Sequence, residues 1–172
     1  MGIVAEGKGE VSILDAMTTA ALTNELPDGA TKHVPNGRRC LSRAGAIRVL
    51  VVEDFEPFRR FVTATLAGLR DLQVIEATDG LAAVEKAVEL QPDLILLDIG
   101  LPSLNGFEAA RQIRKLVPES KIIFVSQLPP DEMVQEALSI GAWGYVAKIS
   151  AGTDLLAAVE AVISGKRFVS ST

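Results

Sequence analysis

The sequence predicts an α/β fold: a doubly wound, five-stranded parallel sheet with helices on both faces. Three observations lead there. From Ile47 onward, short apolar runs alternate five times with longer amphipathic segments, the pattern of a parallel sheet with right-handed crossovers. Runs such as Leu94-Ile95-Leu96-Leu97 are continuously apolar, as strands covered on both faces are. Four of the runs end on acids, a hydroxyl or an amine, and open α/β sheets place their chemistry outside the carboxyl ends of strands. For five strands the flavodoxin-like order 2-1-3-4-5 is expected, with its switch point between the first and third.

Taken in order, the first strand covers 47–52 and a helix 56–69 follows, with Pro57 in its first turn, where a missing N–H costs nothing. A strand at 72–76 leads to a helix at 79–91, announced by Asp79-Gly80. The third pair is a strand at 93–98 and a helix at 105–117, with Pro118 beyond it. The fourth is a strand at 121–125 and a helix at 131–140, introduced by Pro129-Pro130-Asp131. The last is a strand at 143–147 and a helix at 152–164. Leu81, Val84 and Val88, and likewise Leu155, Ala158 and Val162, form helical stripes expected to face the sheet. Trp143 and Tyr145 are expected on one face of the last strand, which is the sheet edge in this order. Gly141 and Gly144 read as turn and close-packing glycines; no phosphate-loop pattern occurs.

Three segments are expected: a flexible arm over 1–45, the folded domain over 46–165, and a tail over 166–172. The arm has no sustained period beyond a weak helix over 12–26, so its deletion is expected to leave stability nearly unchanged. It carries five basic and five acidic residues, leaving 12 basic and 17 acidic for the remainder. Neither part has the basic stripe of a nucleic-acid binder. No apolar stretch reaches membrane-spanning length and the start lacks a signal-peptide pattern, so a cytoplasmic, membrane-free protein is expected. His33 and Cys40 are the only histidine and cysteine. One chain therefore offers no disulfide and no Cys/His zinc cluster. A Ser-His-Asp triad would need His33 to fold back onto the strand ends.

The chemistry gathers on one rim. Glu53 and Asp54 follow the first strand, Asp98 ends the third, Ser126 closes the fourth and Lys148 the fifth. Acids, a hydroxyl and an amine together suit a metal-assisted transfer of phosphate onto a carboxylate. Each residue also has a plainer reading. Glu53 and Asp54 could cap the helix beginning near Glu56, Ser126 could simply end a strand, and Lys148 could be a solvated lysine.

The series Glu53-Asp54, Asp98, Ser126, Tyr145, Lys148 resembles the receiver domain of two-component response regulators. So do the stretches VLVVEDFEPFRR, PDLILLDIGLPSLNGFEAARQIR, KIIFVSQ and EALSIGAWGYVAK. The likeness covers about 46–165 and is nearest to the NarL/FixJ subfamily, judging by residues 141–148. The resemblance implies that Asp98 accepts phosphate from a sensor histidine kinase or phosphotransfer protein. It implies a Mg²⁺ ion held by Asp54, Asp98 and the Gly100 carbonyl, with Glu53 acting largely through water. It gives Lys148 and Ser126 to the phosphoryl oxygens, and makes Tyr145 the aromatic whose rotamer follows Ser126. It also implies docking of a partner or a second protomer around Trp143. Three residues depart from the family: Glu53 replaces the commoner aspartate, Gln127 is larger than usual, and Ile149 stands where many receivers have proline. NarL/FixJ regulators usually continue into a helix-turn-helix domain that the given sequence lacks, so a stand-alone receiver is expected, the alternative being the front half of such a regulator. An aspartyl phosphatase is the enzymatic alternative. It fits less well, because Gly100 lies where such enzymes carry a second acid and Asp98 follows the third strand rather than the first. A receiver that binds partners without phosphate is a further reading.

Overall fold

The computed structural model describes residues 45–127 and 131–170. Its elements are β1 (Ile47–Val52), α1 (Glu56–Leu66), β2 (Leu72–Ala77), α2 (Gly80–Leu90), β3 (Leu94–Asp98), α3 (Gly106–Leu116), β4 (Lys121–Ser126), α4 (Asp131–Ile140), β5 (Gly144–Ala147), α5 (Ala151–Ile163) and β6 (Phe168–Val169). The expected arm up to residue 44, with its weak helix, His33 and Cys40, lies outside the described residues, as do Pro129 and Pro130.

All neighbouring strands are parallel, in the order β2-β1-β3-β4-β5-β6. The five expected strands take the expected order. Side chains alternate across the sheet, so each apolar run feeds two cores. Leu50, Val52, Ile95, Leu97, Ile122 and Phe124 pack with α2, α3 and α4. Val49, Val51, Leu94, Leu96, Ile123 and Val125 pack with α1 and α5. Among the described residues no helix is long and apolar enough to cross a membrane.

A sixth strand corrects the expected edge. Phe168 and Val169, placed in a tail by the sequence, pair in parallel with Gly144 and Tyr145. Strand β5 is therefore an inner strand. The Ser170 N–H donates to the Tyr145 carbonyl at 2.9 Å and the Phe168 N–H to the Trp143 carbonyl at 3.1 Å. Any docking edge here belongs to β6. Trp143 and Tyr145 also diverge from expectation. Trp143 precedes the strand and packs on the α1/α5 side, with the Lys121 ammonium 4.5 Å from its ring centroid. Tyr145 lies within the opposite core. The period of two does not extend across the turn that begins at Gly141, whose φ is +92°.

The α2 stripe is likewise rotated. Leu81 and Val88 are exposed, whereas Gly80, Ala83 and Ala87 are buried. Close approach decides this. A Cβ on Gly80 would lie 1.9 Å from the Leu104 carbonyl oxygen, so small residues take the contact face and the larger ones its margin. The α5 stripe of Leu155, Ala158 and Val162 is fully buried, as expected. Helix α1 ends at Leu66, three residues early, where the Leu69 N–H turns back to the Leu66 carbonyl.

Gly106 fixes the chain after β3. A Cβ there would lie 2.1 Å from the Asp98 carbonyl oxygen, while the Gly106 N–H donates to the Ile99 carbonyl at 3.0 Å. Asn105 caps α3 by accepting the Glu108 N–H. Gly106→Ala should lower unfolding free energy by about 1–3 kcal/mol through overpacking against backbone. Chemical denaturation checks this, and an unchanged midpoint would contradict the close approach.

Candidate functional site

The parallel registers bring the strand ends level. Val52 of β1 pairs with Leu97, Asp98 with Val125, and Ser126 with Ala147. The residue that ends β3 and those that follow β1 and β5 are therefore Asp98, Glu53 and Lys148. Lys148 opens a short 3-10 turn, Lys148–Ser150. Its Nζ lies 2.9 Å from Asp98 Oδ2 and 2.8 Å from Glu53 Oε2. It also sits 4.9 Å from the Phe58 ring centroid, a cation–π contact supplied by α1. The lysine is not a solvated one: its side chain is 12% exposed.

Glu53 is 2% exposed and Asp98 6%, whereas Asp54 is open to solvent. One carboxylate oxygen from each of the three lies within 4.8 Å of the others. Oxygen-only donors at that separation suit a hard divalent cation, so the cluster can hold a metal. The capping alternative does not hold for Asp54. Phe55 is the N-cap of α1 and no side chain caps it. Glu53 does accept the Phe55 N–H, at 3.2 Å.

Burial and charge set the protonation of the group. Burial pushes the Glu53 carboxyl above its usual range; the Lys148 hydrogen bond opposes this and the Asp98 charge adds to it. Burial alone would lower Lys148, but its hydrogen bonds and charge contacts with Glu53 and Asp98 outweigh it and raise the ammonium pKa. The lysine is thus held charged between two carboxylates.

Ser126 ends β4 and is buried. Tyr145 is 1% exposed, and among the described residues its hydroxyl is the one buried side-chain polar atom without a hydrogen-bond partner. Burial raises its pKa, with the Ser126 hydroxyl acting against this and the Asp98 charge with it. A buried hydroxyl without a partner is costly. Gly100 meets the site through its N–H, which donates to Asp98 Oδ1 at 3.3 Å.

Beside Lys148, a shallow depression of about 280 Å³ is lined by Phe55, Phe58, Gln127, Lys148 and Ile149. Gln127 is exposed and Ile149 is 83% exposed; no cis peptide bond occurs among the described residues. One residue of this neighbourhood was missed from sequence. Arg59 of α1 donates from Nη1 to the carbonyls of Glu53 at 2.9 Å and Asp54 at 3.4 Å. Its only sequence signal was a basic residue five positions after the acidic pair.

The sheet order and helix placement are those of solved receiver domains. The chain belongs to the response regulator receiver domain family, whose model matches residues 49–160. It is 35% identical over 125 residues to response regulator GacA of Pseudomonas viridiflava, an alignment covering 72% of this chain and 58% of GacA. The chain thus spans less than two thirds of that relative's length. A LuxR-family two-component response regulator from Aurantimonas sp. SI85-9A1 superposes with a TM-score of 0.68 at 29% identity, covering 72% of this chain and 89% of that one. The signal receiver domain of NarL from Mycobacterium tuberculosis gives a TM-score of 0.66 at 31% identity, covering 71% and 99%. These relatives support the NarL/FixJ side of the family. The domain over the matched residues is a two-component receiver, one of a family of phosphoacceptor domains.

Proposed function

We propose that Asp98 is the phosphoacceptor, and that the donor is a phosphohistidine on a sensor kinase or phosphotransfer protein. The carrying observation is the buried Lys148 ammonium shared between Glu53 and Asp98, beside an open Asp54. An Asp98 carboxylate oxygen attacks phosphorus, the donor's P–N bond breaks, and the imidazole leaves with the bonding pair. The new bond is an acyl phosphate. Lys148 offsets charge on the phosphoryl oxygens and Ser126 donates a hydrogen bond to one of them. Asp54, Asp98 and the Gly100 carbonyl would hold Mg²⁺, with Glu53 acting through water; the ion would supply charge neutralisation for the incoming group. Rearrangement of Ser126 would give the orphaned Tyr145 hydroxyl a new environment, biasing two packings of the same core.

Incubating the full chain with acetyl phosphate and Mg²⁺ should add a single phosphate by intact mass, and excess EDTA should suppress it. Labelling that proceeds equally in EDTA would contradict the metal-assisted reading. The phosphatase alternative is weaker here, since no second acid stands two residues after Asp98.

A further inference from the structure

We infer that Arg59 is a positioning residue for the divalent-cation site, holding the Glu53-Asp54 turn from behind; this rests on the reading of that site given above. The side chain of Asp54 is exposed, and among the described residues only its backbone is held. The group that holds it is the Arg59 guanidinium, which also takes the Glu53 carbonyl.

Arg59 is itself fixed. Its Nε donates to Glu76 Oε2 at 3.1 Å, and the other Glu76 oxygen accepts from Thr63 Oγ1 at 3.0 Å. Lys86 Nζ donates to the Glu76 carbonyl. One residue on, the Ala77 carbonyl accepts the Glu53 N–H at 3.1 Å. The acidic turn is therefore pinned from the end of β2 on both its N–H and its carbonyls. Although it rises from a helix surface, Arg59 is only 15% exposed.

The fork matters because Mg²⁺ demands near-octahedral oxygens at short range. Carboxylates projecting from a turn held at two carbonyls meet that demand more often than carboxylates on a free turn. Nη1 serves both carbonyls while Nε takes Glu76, a spread over two rigidly linked nitrogens that the single ammonium of lysine does not reproduce. An exposed ion pair with Glu76 alone would be worth little, so the role lies in the carbonyl contacts.

The test is Mg²⁺ titration of the full chain by calorimetry, alongside the thermal midpoint in EDTA. Arg59→Lys and Arg59→Ala should each weaken Mg²⁺ binding by about 10-fold, the lower end for residues that orient metal ligands. Glu76→Gln should give a smaller loss. Because Arg59→Lys retains charge and size, it keeps the comparison informative if Arg59→Ala folds poorly. A packing role alone would lower the midpoint in EDTA and leave the Mg²⁺ affinity unchanged, which would overturn the inference. Wild-type chain that fails to bind Mg²⁺, or binds it equally after Asp54→Asn, would instead overturn the metal site and Arg59's role with it.

Discussion

Replacing Lys148 by methionine should destabilise the metal-free protein by about 3–5 kcal/mol at neutral pH, the usual result of removing one partner from a buried charge group. Methionine can still lie against Phe58, so the loss would be mainly electrostatic. Two buried carboxylates, Glu53 and Asp98, would be left facing each other without the ammonium they share. The pH dependence follows from the direction of each shift. The Lys148 pKa is raised in the fold, so its contribution is whole below about 10.5 and fades as pH rises through the folded value. The Glu53 pKa is also raised, so the fold favours its neutral form; stability on its account falls as pH climbs above its ordinary value of 4.5. Without Lys148 that penalty grows. The defect of Lys148→Met should therefore be smallest near pH 4 and widen toward pH 7, measured by denaturation in EDTA. A defect under about 1 kcal/mol, flat across that range, would mean the lysine is an ordinary surface pair.

What the sequence disclosed depended on whether the cause was local. Strand runs such as Leu94–Asp98 are long and continuous, so their existence and parallel order follow from pattern alone. Asp98, Glu53 and Lys148 were legible because each ends or follows such a run, and parallel strands must deliver their ends to one rim. Strand β6 was not legible. Two residues make no period, and Phe168-Val169 becomes a strand only because β5 offers it backbone partners. The α2 face was misjudged because hydrophobicity marks what prefers burial, not how near a neighbour comes; at Gly80 the Leu104 backbone leaves no room for a side chain. Arg59 depends on Glu76, 17 residues away, and on carbonyl groups that carry no side-chain signature. Trp143 could be read as an interface anchor or as packing on its own helices; it is half-buried, its ring lies against the α1/α5 core and the Lys121 ammonium, and no sequence period distinguishes these uses.

Locating the phosphoryl group bears most directly on the account. An aspartyl phosphate is an acyl phosphate, so borohydride reduces it to an alcohol and leaves homoserine in place of aspartate. Protein labelled with acetyl phosphate and Mg²⁺, reduced and digested, should carry that change at Asp98 and at no other acid. Asp98→Asn should take up essentially no label, because the amide lacks the anionic oxygen that attacks phosphorus. In Asp98→Asn the Lys148 ammonium keeps Glu53 as a partner, so the asparagine variant is expected to fold, and its thermal midpoint verifies that. Homoserine mapped to position 98 in the wild type, absent from the variant, is the expected result; reduction mapped to Glu53 or Asp54, or equal labelling of Asp98→Asn, would contradict it.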